Sequence, residues 1–290
     1  MKSIFTLCML LCTILPAFAQ TDTTATPAPP DDTIRIGGMV IIRKAGKERN
    51  ESEKEYRIRT RKTSKPSNPS TNWWIFDLGF SNFSDKTNYS SVDAQAYAPG
   101  SDKSWFELRE GKSRNVNIWF FMQRLNIAKH VLNLKYGLGV ELNNYMYEDP
   151  IAYIKNTAPG PNPPRVTMFS SSTVEVKKNK LAADYLTVPM MLNINFTPNR
   201  KNGFGLSAGV SAGYLYSARN KTVSRDHSDE KEKTKSKVKD DFELETWKIS
   251  YIAELSLGPV RFYGSYATKS MYERGLDMTP YNFGFRFSNW

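Results

Sequence analysis

The chain has 290 residues, 40 Lys and Arg against 29 Asp and Glu, a formal net charge of +11 and two cysteines. Cys8 and Cys12 both lie at the very start, so a disulfide framework, a thiol nucleophile and a thiolate metal site are excluded from the rest of the chain. No later run of about 18 apolar residues occurs, which excludes a membrane-spanning helix.

Lys2, the apolar run Ile4 to Leu15 and the small-x-small triplet Ala17-Phe18-Ala19 have the layout of a secretory signal peptide over residues 1–19, cut before Gln20. Lipidation of Cys12 is not expected, because bulky Leu11 precedes it. A basic chain suits nucleic acid, but an exported one meets lipid phosphates and lipopolysaccharide instead. Gln20 to Asp32 is Thr- and Pro-rich and reads as a tether. Thr33 to Arg43 resembles two short strands around Gly37-Gly38. Between Asp31 and Lys65 there are eleven Lys or Arg and six Asp or Glu. Residues 20–72 thus read as a basic, largely flexible periplasmic extension with one short hairpin. A solvated tail explains it; the alternative is docking of residues 31–65 on a periplasmic protein or on peptidoglycan.

From Trp73 the pattern changes. Trp74, Phe76, Leu78 and Phe80 alternate with Ile75, Asp77, Gly79 and Ser81. Next, Val116, Ile118, Phe120 and Met122 alternate with Asn117, Trp119, Phe121 and Gln123. After a tight turn at Ala128-Lys129-His130, Leu132, Leu134, Tyr136, Leu138, Val140 and Leu142 alternate with Asn133, Lys135, Gly137, Gly139, Glu141 and Asn143. Similar runs follow over Tyr185 to Phe196, from Gly203 to Tyr214, over Trp247 to Leu257 and over Val260 to Tyr266. The last is Tyr281, Phe283, Phe285 and Phe287 ahead of Trp290. Period two is the mark of a strand. An apolar set opposite a Gly, Ser, Asn or charged set is the pattern of a membrane barrel, with lipid outside and a polar lumen inside.

The connections sort by length. Ala128 to His130, Thr197 to Asn202 and Gly258-Pro259 are short; Asn82 to Arg114, Tyr145 to Lys180, Ser217 to Phe242 and Thr268 to Pro280 are long. Short periplasmic turns and long external loops characterise outer-membrane barrels. The expectation is all-β: an eight-stranded antiparallel transmembrane barrel over 73–290, in the cell outer membrane.

The stretch YLTVPMMLN (Tyr185 to Asn193) resembles the YLxIPLLLK strand of the PorT-like outer-membrane β-barrel family of Bacteroidota. WWIFDLGFSNFSD (Trp73 to Asp85) is similar to the first strand of such proteins. The resemblance covers Trp73 to Trp290. Asn193 departs from it, standing where the family often has Lys, and Trp290 is out of phase with the Phe283, Phe285 and Phe287 face. The resemblance implies an eight-stranded barrel whose aromatic terminus is read by the barrel-insertion machinery. It also implies diverse roles, one branch of the family assisting protein secretion.

An eight-stranded barrel is just wide enough for side chains to fill. The inward set includes Asp77, Lys135, Glu141, Lys248, Glu254, Arg261 and Arg286, and confined charges need partners. A lumen salt-bridge network is therefore expected, with Asp77 near Arg286 where the first and last strands close. Ser224, His227 and Asp229 have the residue types of a hydrolytic triad, but a charged loop does not supply the fixed geometry. His130, the other histidine, falls in a turn. No cofactor or metal motif occurs. Lys177, Lys178 and Lys180, near the outer end of one strand, are candidate contacts for lipopolysaccharide phosphates. Ser217 to Glu245 holds eight basic and eight acidic residues and reads as a solvated loop. The leading functional reading is a non-enzymatic membrane scaffold or interaction protein. An accessory of secretion or envelope assembly comes second and a lipid-modifying enzyme third.

Overall fold

The computed structural model describes residues 68–155, 163–169, 174–198, 203–226 and 233–288, and the backbone of 32–36 and 39–43. The signal segment, most of the extension, His227, Asp229, residues 156–162 of the proline-rich loop and Trp290 lie outside the described residues. Two units divide at Lys65 and Pro66. In the first, β1 (Asp32–Ile36) and β2 (Met39–Arg43) form an antiparallel hairpin.

The second unit is built from β3 (Ser70–Asp85), β4 (Arg114–Ala128), β5 (Leu132–Met146), β6 (Ile151–Tyr153), β7 (Val166–Met168), β8 (Val174–Asn195), β9 (Phe204–Asp226), β10 (Lys233–Lys239), β11 (Trp247–Leu257), β12 (Val260–Ala267) and β13 (Met278–Phe287). Eight of these close a ring in the order β3-β4-β5-β8-β9-β11-β12-β13 and back to β3. All neighbours are antiparallel. Closure pairs every interior edge, as a membrane requires.

Outside, Leu78, Val188, Leu192, Leu206, Leu255 and Phe285 are exposed; inside, the adjacent Asp77, Thr187, Asn193, Ser207, Glu254 and Arg286 are buried. Trp73, Trp74, Phe196, Phe204 and Phe287 ring the end with the short turns, and Tyr214, Tyr216, Trp247, Tyr251 and Tyr266 the end with the long loops. These are the two interfacial girdles. The tight turn between β4 and β5 puts Lys129 (φ 46°) and His130 (φ 57°) in the left-handed region. Two such residues suit the twist of a two-residue hairpin, and the Asn126 side chain accepts the His130 N–H at 2.7 Å.

One strand departs from the alternation read in the sequence. Phe121 is outward and Met122 is buried at 1% exposure, the reverse of expectation. The β4–β5 register slips by one residue between Trp119 and Phe121, and a one-residue slip exchanges the faces. Opposite it, Trp74 has φ 57°. There the chain turns so that Trp73 and Trp74 both face outward, against Phe121 and Phe120.

The long connections also differ from expectation. Most of Ser217 to Phe242, read as part of a solvated loop, is strand, and strands also occupy parts of the long connection Tyr145 to Lys180. β8 and β9 stay paired as far as Val174 and Asp226, and β10 pairs with the outer part of β9. Beyond the bilayer neither face has to be apolar, so polar strands there lack the alternation that marks those within it. The remaining loop segments fold together into a cap. Its core is Tyr97, Phe106, Tyr145, Tyr147, Ile151, Tyr153, Val166, Leu181, Phe242, Leu244, Met271, Tyr272 and Leu276.

Candidate functional site: a filled lumen beneath a folded cap

Along β3, β11 and β13 the pleat sends Asp77, Glu254 and Arg286 inward. Arg286 is the register partner of Asp77 across the closing seam. Its Nε donates to Asp77 Oδ1 and its Nη2 to Oδ2, both at 2.7 Å, and its Nη1 donates to Glu254 Oε2 at 2.6 Å. Lys135 Nζ donates to the other oxygen of Glu254 at 2.7 Å and to Ser207 Oγ at 3.2 Å. Trp119 Nε1 and Asn117 Nδ2 also donate to Asp77 Oδ2, at 2.7 and 3.1 Å. Asp77 is fully buried, and these donors replace the water it loses. The four ions cancel in sign, which is what a confined low-dielectric space requires.

The other inward charges lie at different heights. Lys248 pairs with Glu141 and stands over the Tyr185 ring at 4.4 Å. Arg261 instead donates to the Ser288 carbonyl at 2.7 Å. Polar neighbours link the layers: Asn193 donates to Ser207 at 3.0 Å and Asn133 to Asn193 at 3.1 Å. Ile75, Trp119, Met122 and Met191 form an apolar layer. One cavity of about 20 Å³ lies beside Asn117, Trp119, Glu141, Met191, Tyr263 and Arg286, room for roughly one water molecule. Trp119, Asn117, Asn115 and Tyr263 complete the network, and composition gave them no charge by which to be noticed.

Above the lumen one carboxylate gathers the cap. Asp241 to Leu244 make a tight turn, with Phe242 (φ 52°) and Glu243 (φ 54°) both left-handed. A bulky residue there is strained and needs surrounding contacts to hold it. Tyr97, from the first long loop, donates its hydroxyl to the Phe242 carbonyl at 2.7 Å. Arg165, from the second, is 1% exposed and bonds Glu243 Oε1 through Nη2 at 2.7 Å. Arg274, from the fourth, pairs with the same Glu243 and donates to the Pro163 carbonyl at 2.9 Å. All four long connections therefore meet at Phe242 and Glu243. In sequence Arg165 looks like any cation of a proline-rich loop, and Glu243 like one acid among eight.

Beside this node the hydroxyls of Tyr147, Tyr153 and Tyr272 run in a chain, 2.7 and 2.6 Å apart. Burial pushes the Tyr147 phenol up to about 12 and holds Tyr97, Tyr153 and Tyr272 well above the usual phenol range.

Of the other candidate residues, Lys178 and Lys180 project from the outer part of β8, Lys180 donating to Asn144 Oδ1 at 2.8 Å. Lys177 pairs with Glu175 at 2.5 Å. Ser224 stands within β9 as a ladder residue between Val176 and Thr234, and His130 is a turn residue.

The family model for the outer membrane protein beta-barrel domain matches residues 73–267. Comparison with curated proteins returned no match. Among solved structures, Ail, the attachment invasion locus protein of Yersinia pestis, is similar at 9% identity and a TM-score of 0.30. That match covers 76% of this chain and 99% of the other.

Removing Arg286 strands Asp77 in the lumen. Arg286→Met is expected to lower stability by about 3–5 kcal/mol in urea titrations of the lipid-reconstituted protein. Adding Asp77→Asn should recover part of that loss; additive losses would mean that the pair is not coupled. The tyrosines give a pH dependence. Their folded-state pKa lies above the ordinary 10.0, so the stability they contribute is full below pH 10 and fades as pH rises through about 12. Tyrosinate absorbance and limited proteolysis should show the cap opening in that window; opening at pH 8 would contradict the reading.

Proposed function

Given that the chain belongs to the outer membrane protein beta-barrel domain family, we propose that it works without catalysis, as an anchor that holds a preorganised interaction surface outside the outer membrane. The observation that carries this reading is the meeting of all four long connections at Phe242 and Glu243 above a filled lumen. A barrel whose interior is occupied by the buried Asp77, Lys135, Trp119, Glu254 and Arg286 side chains does not serve as a wide conduit. A loop set tied by a buried Arg165 and a strained turn is rigid, and rigidity lowers the ordering cost of binding a partner.

A second reading makes the protein an accessory of secretion or envelope assembly, of the PorT type. It is favoured by the basic stretch 31–65 with its β1–β2 hairpin and by the start of β3 at the short-turn, periplasmic end. Residues 1–19 would then be removed on export, and residues 20–72 would reach into the periplasm toward a protein or peptidoglycan.

One experiment separates these readings from each other and from a lipid-modifying enzyme. A photo-crosslinking residue is placed at Val92 on the cap or at Lys54 in the extension, in cells, with lipid A mass read in parallel on a deletion strain. Anchoring by the cap predicts a defined adduct at Val92 that Glu243→Ala abolishes, with lipid A unchanged. Adducts only at Lys54 would overturn it in favour of the accessory role, and an altered lipid A mass in favour of an enzyme.

A further inference from the structure

The sheet that rises above the external girdle has two unlike faces. One face of β8 and β9 carries Asn179, Leu181, Ala183, Ala218 and Asn220, all buried against the cap. The other continues the lipid-facing side of the barrel upward from Tyr214 and Tyr216. On that outward face the register sets Lys180, Lys221 and Lys237 side by side in one cross-strand row. The row below aligns Ala182, Arg219 and Lys239, and the row above Lys178, Val223 and Lys235; in the row beyond it Arg225 stands between Lys233 and the acid Glu175, so the uncompensated charge centres on the Lys180 row.

Like charges directly opposite one another weaken a sheet. Lysines on an edge strand such as β10 are a common guard against edge-to-edge pairing. That explains Lys233, Lys235, Lys237 and Lys239. It does not explain Arg219, Lys221 or Lys180, which stand on strands paired on both sides. Asp184 takes Arg219, and Lys180 has the neutral Asn144 side chain. Burial, and then the nearby Lys221 and Arg219, lower the pKa of Lys180. Crowded cations of this kind are relieved by an anion.

We propose that this basic face binds the phosphate groups of a phosphorylated glycolipid in the outer leaflet. Position selects the ligand. Counted from Tyr216, Arg219 and Lys221 are roughly 10 and 17 Å up the strand; for a strand tilted by about 40° that is roughly 8 and 13 Å above the girdle, at the headgroup layer and its outer edge. An ammonium meets a phosphate as a compact point charge with three donors, and a spacing of about 5 Å between neighbours within a row, and about 7 Å between rows, lets several lysines reach one phosphorylated headgroup. The inference is independent of whether the cap has a protein partner.

The test places the full-length protein in phosphatidylcholine nanodiscs carrying fluorescent lipid A, either phosphorylated or enzymatically dephosphorylated. The variants are the triple Lys180→Gln, Lys221→Gln, Lys237→Gln and the edge-strand pair Lys235→Gln, Lys239→Gln. The wild type should hold phosphorylated lipid A about tenfold or more tightly than the dephosphorylated form, less so at high salt. The triple variant should lose most of that preference and the pair part of it, while folded-barrel mobility on gels stays unchanged. A control triple, Lys103→Gln, Lys112→Gln, Lys129→Gln, should keep it. Equal binding of the two lipids would overturn the proposal. So would an unaltered preference in both variants, or a soluble polyanion such as heparin binding this face while lipid A does not.

Discussion

A guanidinium held between two carboxylates at the closing seam is the constraint on which the barrel depends. Arg286 lies on the last strand, Asp77 on the first and Glu254 two strands away from Arg286 across the β12 wall. One side chain thus ties together three strands distant in sequence. Buried charge is costly unless fully partnered, so this cluster tolerates only one register of closure. A one-residue slip of β13 against β3 would turn Arg286 toward lipid and leave Asp77 in the lumen without its counter-charge. The network therefore specifies which closed form is adopted, whatever it adds to stability.

The rest of the molecule is arranged in layers from that point. Below, Ile75, Trp119, Met122 and Met191 fill the lumen with apolar bulk. Above it, Lys248 and Glu141 close it again. Farther out, the wall of β8, β9 and β10 supports a cap whose loops meet at Glu243. The same logic recurs there: Glu243 between Arg165 and Arg274 joins segments that the chain alone would leave apart. In the barrel and in the cap, a carboxylate facing arginine carries long-range order.

The strands within the bilayer were legible because lipid demands an apolar outer face, and the pleat turns that demand into period two. Asp77, Lys135, Glu141, Glu254 and Arg286 could be placed inward for the same reason. The slip beside Phe120 was hidden because Phe121 and Met122 are both apolar, so either could face lipid. The extension of β8, β9 and β10 was hidden because its inward set mixes Asn179 and Asn220 with Leu181, Ala183 and Ala218, while its outward set is largely charged, so no continuous apolar face recurs. Arg165 and Glu243 gave no sign of meeting, since they are brought together only when the four loops fold. The resemblance of Tyr185 to Asn193 to a barrel family pointed to the fold; it carried no information about the cap.

The most direct test of a filled lumen is ionic conductance across a planar lipid bilayer. A barrel held shut by Arg286 and its partners predicts no stepwise current from the wild-type protein at moderate voltage, even with many copies inserted. Stable, reproducible conductance steps of a fixed size would contradict it, for they require a continuous water path through the space that Asp77, Glu254, Trp119 and Arg286 occupy.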